Sequence, residues 1–180
     1  KDDALQESIK NAWNVILGFS IVDQLFPIKE FSGVALGSGY FHPKRNDYND
    51  VVYSIVPERD EKRAFSFEIL QKYFEKTPEE TKNSFRLQWA LYPFEKKKKN
   101  RYVPYSSNTA EDIFINYLPK GWSSFQKISF VEAYNKSYNA NDIKDKIVIV
   151  GSTAAALYDR FNTPLGIQDG VYLHANMINT

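Results

Sequence analysis

Four stretches of the 180-residue chain carry side chains that could bind a ligand or react. The first is Lys146-Ile-Val-Ile-Val-Gly-Ser-Thr-Ala-Ala. Its β-branched run predicts a buried strand entering Gly151, with Ser152 and Thr153 opening a short helix. Free N–H groups at a helix start hold anions, and ligands of α/β sheets collect at the carboxyl ends of strands. Neither GxxxxGK[ST] nor a full GxGxxG is present, so the plainer reading is preferred: a glycine that permits a tight turn and a hydroxyl that caps.

The second stretch, 157–166, crowds Asp159, Arg160, Asn162 and Thr163 into a loop just beyond that strand. Such a loop can present polar groups to a crevice. Equally, Asp159 can cap backbone donors or pair with Arg160, while Thr163-Pro164 forces an extended turn. The third, 170–179, places His174 and Asn176 near a helix start. A solvated His174 would titrate near neutral pH, whereas a packed one is a hydrogen-bonded core residue; the second reading is preferred. The fourth, 95–101, is a basic run flanked by Trp89, Tyr92, Phe94, Tyr102 and Tyr105. That mixture suits nucleic acid or an anionic membrane face, but a solvated loop tip is preferred because the remaining chain compensates its charge.

Composition removes several classes of function. Lys and Arg number 23 against 22 Asp and Glu, a net charge of +1, which argues against a dedicated nucleic-acid binder. Cysteine is absent, which excludes disulfides, thiolate zinc sites and cysteine nucleophiles together. Only His42 and His174 could bind metal through imidazole, and they are far apart. No G-x-S-x-G occurs, neither histidine has the spacing of a base, and Glu79-Glu80 reads as an exposed helix start. Nothing calls for catalysis or a cofactor. No apolar run is long enough to cross a membrane. Hydrophobic residues make up 43% and charged ones 25%, so a packed core is expected rather than disorder.

The elements that would position these residues alternate in type. Residues 3–12 suit a helix capped by Asp2 or Asp3. Residues 14–20 and 34–41 read as strands, and 51–56 as a further strand forming a hairpin with 34–41 across the polar loop 43–50. One apolar face marks a helix over 64–75, and Thr77-Pro78 starts another. Phe85, Leu87, Trp89 and Leu91 alternate along one strand, 85–91. Residues 112–118 are strand, 130–136 a short helix, 146–150 the strongest strand, and 170–179 begin a helix. The fold class is α/β, a single layered domain of helices packed on a mixed sheet. The chain begins at Lys1 and ends just after an apolar-periodic stretch, so it reads as a piece of a longer protein.

The last seventy residues resemble a known family. In order come Ile115-Asn-Tyr, Phe125-Gln-Lys-Ile-Ser-Phe-Val-Glu-Ala, Lys144-Asp-Lys-Ile-Val-Ile-Val-Gly-Ser-Thr-Ala, Tyr158-Asp-Arg-Phe-Asn-Thr-Pro-Leu-Gly and Gly170-Val-Tyr-Leu-His-Ala-Asn. This is similar to the second subfamily of the cyclase- and histidine-kinase-associated sensory extracellular (CHASE) domain. The likeness is densest at Gly151, Ala154, Asp159, Thr163, Pro164, Gly166, Gly170, His174, Ala175 and Asn176. Upstream, Asp3-Ala-Leu and Leu36-Gly-Ser-Gly-Tyr-Phe resemble earlier family segments. Where the family has D-x-D-G-V-V-R, this chain reads Asp47-Tyr-Asn-Asp-Val-Val-Tyr. Asp50 thus replaces glycine and Tyr53 replaces arginine, with Asn49 suited to the left-handed turn position. Tyr117-Leu-Pro-Lys-Gly also lacks the family's arginine. The family's N-terminal strand, helix and second strand have no counterpart, and the chain corresponds to about the last two-thirds of a domain of roughly 250 residues.

The resemblance implies an extracytoplasmic sensory domain, periplasmic or at the cell surface, in a membrane-anchored receptor. Its effector would be a histidine kinase, a nucleotide cyclase or similar. A small molecule or a physical stimulus would shift a conformational equilibrium, and the helix at 170–180 would carry the difference toward the membrane. Ser152, Thr153, Asp159, Arg160, Thr163, His174 and Asn176 are the candidate ligand residues, grouped near one strand end and its two following loops. No cofactor and no nucleic-acid partner is implied. Two rivals stand beside this: a soluble α/β protein holding a phosphorylated metabolite at the Gly151 turn, and a ligand-free module whose aromatic surface builds a homodimer. The absent strands lead to a first prediction. Unpaired sheet edges should make the isolated chain self-associate, visible as concentration-dependent mass in light scattering. A cooperative, strictly monomeric melt would contradict it.

Overall fold

The computed structural model describes residues 2–41, 43–45, 49–59, 61–75, 79–80, 84–87, 90–95, 112–119, 124–157 and 159–180. Helix α1 (Asp2–Ala12) carries Asp2 and Asp3 in its first turn and Lys10 in its last, each sign favoured by the helix dipole there. It ends where Trp13 turns left-handed at φ 50° and donates its N–H to the Ile9 carbonyl. Strand β1 (Ile16–Phe19) follows, then a tight loop closed by Ser20 and Leu25, the short helix α2 (Lys29–Ser32) and strand β2 (Gly37–Tyr40). β1 and β2 pair in parallel, Ile16 opposite Gly37 through Phe19 opposite Tyr40.

The sequence predicts an antiparallel hairpin of 34–41 with 51–56, and the structure corrects it. β4 (Val52–Ile55) instead pairs with β3 (Lys44–Arg45) and with β10 (Asp112–Phe114). Among the described residues of the intervening loop, Asp50 is left-handed at φ 54° and Asn49 is not; the Asn49 side chain accepts the Val51 N–H. A short hairpin of β5 (Glu58–Arg59) and β6 (Lys62–Arg63) leads into helix α3 (Phe65–Phe74), which ends at left-handed Glu75. Thr77 lies outside the described residues, and Glu79–Glu80 form strand β7 rather than a helix start. The single strand expected over 85–91 is two, β8 (Ser84–Leu87) and β9 (Ala90–Glu95), folded back with Leu87 opposite Ala90. Alternating apolar residues are equally compatible with one long strand or a hairpin, so periodicity alone could not place the reversal. These strands form one antiparallel sheet in the order β3-β4-β10-β9-β8-β7. The basic run after Glu95 lies outside the described residues.

Helix α4 (Phe130–Tyr134) opens on a capping box: Ser129 accepts the Glu132 N–H, and Glu132 accepts the Ser129 N–H. Nothing in α4 is buried, and Phe130, Val131 and Tyr134 are largely exposed. The 146–150 segment, expected as the strongest strand, belongs to no sheet among the described residues, and Val150 is 86% exposed. β-branched residues favour an extended backbone, but a strand exists only where a neighbour offers ladder partners. A hairpin of β11 (Arg160–Thr163) and β12 (Gly166–Asp169) then leads directly into helix α5 (Gly170–Ile178). The fold is thus mixed α/β, with several small sheets rather than one continuous sheet.

The core joins these pieces. Phe19, Tyr40, Val52, Ile55, Ala64, Phe67, Leu70, Ile113, Ile115, Leu173 and Met177 form one buried cluster. The Tyr40 hydroxyl donates to the Val56 carbonyl. Glu68 is buried on α3, yet its carboxylate meets Arg63 at 3.2 Å and Lys72 at 3.8 Å. The start of α3 can approach β2 because residue 39 is glycine. A Cβ there would lie 2.5 Å from the Phe65 Cα. Backbone cannot retreat as a flexible side chain can. Gly39→Ala should therefore destabilise the fold by about 1–3 kcal/mol, the usual range for overpacking. A lowered midpoint in urea at unchanged slope would confirm this, and an unchanged midpoint would contradict it.

Candidate functional site

The candidate residues meet in part at the head of α5. The β11–β12 hairpin closes through Thr163-Pro164-Leu165-Gly166, with Gly166 at φ 93°. The Thr163 hydroxyl donates to the Gly166 carbonyl at 2.7 Å and accepts the Leu165 N–H at 3.2 Å. Thr163 thus fixes the turn at the far end of the hairpin. Its register sets Arg160 opposite Asp169, and the guanidinium Nε stands 3.4 Å from Asp169 Oδ1. Asp159, one residue earlier, accepts the Gly170 N–H through its backbone carbonyl at 2.9 Å. Its carboxylate lies against Gly170 itself: a Cβ on Gly170 would sit 2.3 Å from Asp159 Oδ1. A side chain at 170 would have to displace the Asp159 carboxylate.

Asp169 occupies the N-cap position of α5, yet its side chain makes no capping hydrogen bond. It is 1% exposed, and its Oδ2 has no hydrogen-bond partner. Burial and the charge of Asp169 together push the Asp159 carboxyl above the usual carboxylate range. The Tyr172 hydroxyl is pushed up for the same two reasons. The Phe125 ring stands 6.3 Å from the Tyr172 ring, and the Lys127 ammonium lies 5.7 Å from the Tyr172 centroid.

The remaining candidates are placed elsewhere. Ser152 accepts the Ala154 N–H, and no α-helix opens there as expected; only a 3-10 turn forms at Ala155–Leu157. Gly151 does not need a positive φ. A Cβ at Gly151 would lie 2.7 Å from Val171 Cβ, so the glycine allows the loop bearing Ser152 and Thr153 to touch the first turn of α5. His174 is buried between the rings of Phe41 and Phe65, with centroids 6.2 Å and 5.4 Å away. Burial pushes its pKa down to about 4, against a small opposing effect of its hydrogen bond to the Phe41 backbone. Asn176 is spent within the fold: Oδ1 accepts the Leu118 N–H at 3.0 Å, and Nδ2 donates to the Tyr172 carbonyl at 2.7 Å. Among the described residues, no group of three or more His, Cys, Asp or Glu could hold a metal ion.

Asp169 and Gly170 complete the site and were not among the sequence candidates. An Asp directly before a helix is a legible N-cap signal. Its pairing with Arg160 was not legible, because that required recognising 160–169 as a hairpin around the Thr-Pro-Leu-Gly turn. A separate cleft of about 470 Å³ lies between Phe19, Phe26 and Pro27 on one side and Lys62, Arg63 and Glu68 on the other. It shares no residue with the Asp159 cluster.

The CHASE2 domain profile matches residues 1–180, and the chain belongs to the CHASE2 family. CHASE2 domains are sensory extracellular modules of signalling receptors, not catalysts. No curated protein and no solved structure matches the chain. Among the described residues no helix is long and apolar enough to cross a membrane.

The burial of His174 has a consequence with a definite sign. Its folded pKa lies below the unfolded 6.5, so the unfolded chain takes up the proton more readily. The stability contributed is complete above 6.5 and lost as pH falls toward about 4. Across that window His174→Phe should gain on the wild type by on the order of 3 kcal/mol. Denaturant midpoints of the two proteins, compared at each pH, measure it, and a pH-independent difference would show that His174 is not buried and neutral.

Proposed function

We propose that this domain is the input module of a membrane-anchored receptor whose effector is a histidine kinase, a nucleotide cyclase or a similar enzyme. The stimulus acts at the head of α5, and α5 passes the change toward the membrane. The single observation carrying this reading is how α5 is held. Asp159 and Arg160 grip its first turn, while Asn176 and Thr180 tie its last turn to the segment after β10. A ligand that altered the first grip would bias the helix position without disturbing the second. Ser152 and Thr153 belong to the same neighbourhood through Gly151 and Val171. Thr163, His174 and Asn176 support the surroundings.

A phosphate ester at the Gly151 turn is the weaker reading, since the anion-binding helix start it needs is replaced by a 3-10 turn. A dimerisation module has one observation in its favour, the exposed apolar side chains of α4.

The double variant Asp159→Ala, Arg160→Ala in the intact receptor tests the proposal. It should shift the stimulus dose–response by about tenfold or more while the domain keeps its circular dichroism. A variant that keeps both signalling and fold would sink the reading.

A further inference from the structure

The cleft that lies apart from the head of α5 joins charged side chains of both signs to aromatic rings. Its volume of about 470 Å³ falls within the roughly 300–1,000 Å³ of small-molecule pockets. The β5–β6 hairpin forms its charged wall. The register sets Glu58 directly opposite Arg63, where a cross-strand ion pair is expected. That pair is not made. Arg63 instead gives Nη1 to the buried Glu68 Oε2 at 3.2 Å. Glu68 is held there by Lys72 at 3.8 Å and by the glycine at 37, where a Cβ would lie 2.6 Å from Glu68 Oε1. Glu58 is therefore left exposed in the cleft, with no ion pair among the described residues. Arg63 keeps Nε and Nη2, which meet no acceptor among the described residues. Lys62 adds a second cation, 5.9 Å from the Phe26 ring centroid, and Glu61 a further carboxylate in the hairpin turn.

The facing wall is apolar. The Phe19 and Phe26 rings stand 5.4 Å apart, and Pro27 follows them. Phe26 is half exposed to the cleft. A second hollow of about 290 Å³ shares this wall and adds Leu25, Phe31 and Phe41.

We propose that the cleft binds a free α-amino acid with an apolar side chain. The α-carboxylate takes the unused donors of Arg63, whose planar fork matches a carboxylate. The ammonium takes Glu58. The apolar side chain lies against Phe26, toward the adjoining hollow. A ligand of one charge fits this wall poorly. An anion drawn to Arg63 and Lys62 also meets Glu58 and Glu61, and a cation drawn to the glutamates meets Arg63 and Lys62. A zwitterion answers both signs and leaves neither of its own charges unpaired. The inference goes beyond the receptor reading and does not depend on it, because the cleft shares no residue with the Asp159 cluster.

The test is isothermal titration of the full chain with L-leucine and with L-phenylalanine, with amide NMR spectra to locate the site. At least one should saturate with a Kd below about 1 mM, and the largest amide shifts should fall at Gly37, Ser38, Lys62 and Arg63. The amide of the amino acid that binds lacks the carboxylate, and its N-acetyl derivative lacks the ammonium. Each should bind at least about tenfold more weakly, the cost of a lost charged hydrogen bond. Glu58→Gln changes an exposed residue and should weaken binding by a similar factor, with circular dichroism unchanged. Arg63→Lys keeps a cation beside Glu68 but loses the fork, and should also weaken binding. If that variant fails to fold, Glu58→Gln and the two derivatives still decide. The proposal is overturned if neither amino acid saturates, or if the shifts centre on the head of α5. It is also overturned if either derivative binds as tightly as its parent, because the site would then take a simple cation or a simple anion. Undiminished binding by Glu58→Gln overturns it as well. The Asp159→Ala, Arg160→Ala double variant should bind as the wild type does, so the receptor reading fails or stands separately.

Discussion

Helix α5 has to be enclosed on most of its surface, and much of the chain is arranged to enclose it. Nine residues make a helix that would not persist alone in water. Tyr172, Leu173, His174, Asn176 and Met177 are all buried, so its stability comes from what covers it. Each large apolar side chain here contributes roughly 1.5–3 kcal/mol by leaving water. The covering comes from α3, from the β11–β12 hairpin and from the chain after β10. Burial of this extent leaves polar groups to satisfy, and the molecule solves the problem locally. Asn176 serves a backbone donor on one side and a backbone acceptor on the other. The Thr180 hydroxyl accepts the Asn116 N–H while donating to the Asn176 carbonyl.

Against that background, incomplete neutralisation at the start of α5 marks a different kind of place. Among the described residues, Arg45 holds Asp50 at 2.9 Å on the surface, and Glu68 has two cations beside it inside. The junction between β12 and α5 has no turn residues at all, since Asp169 ends the strand and Gly170 starts the helix. A shift in the hairpin is therefore passed to the helix with no loop to absorb it.

The sequence revealed elements whose formation is local and concealed those that depend on partners. α1, α3, α4 and α5 were legible because apolar spacing, acidic first turns and a capping box act within a few residues. The parallel pairing of β1 with β2 was not legible, since nothing in 34–41 says that its partner lies before it rather than after it. The segment 146–150 shows the same limit from the other side, where strong β propensity fixed the conformation but not the pairing. In the candidate site, Asp159 and Arg160 could be read from a polar loop beside Gly170. The role of Gly170 could not, because it depends on the carboxylate that would collide with any side chain there. His174 lies on the apolar face of its helix, and it is buried between Phe41 and Phe65.

The left-handed residues Trp13, Gln24, Asp50, Glu61, Glu75, Lys136 and Asp145 have one more implication. Each is an L residue in a conformation that costs roughly 1–2 kcal/mol relative to the right-handed one, a cost glycine escapes. Trp13 and Glu75 sit immediately after helices, where glycine is the usual choice, and none of the seven lies at the head of α5. The ends of α1 and α3 thus hold backbone strain at a distance from the head of α5. Relieving those turns with glycine would leave the residues around Asp169 and Gly170 untouched.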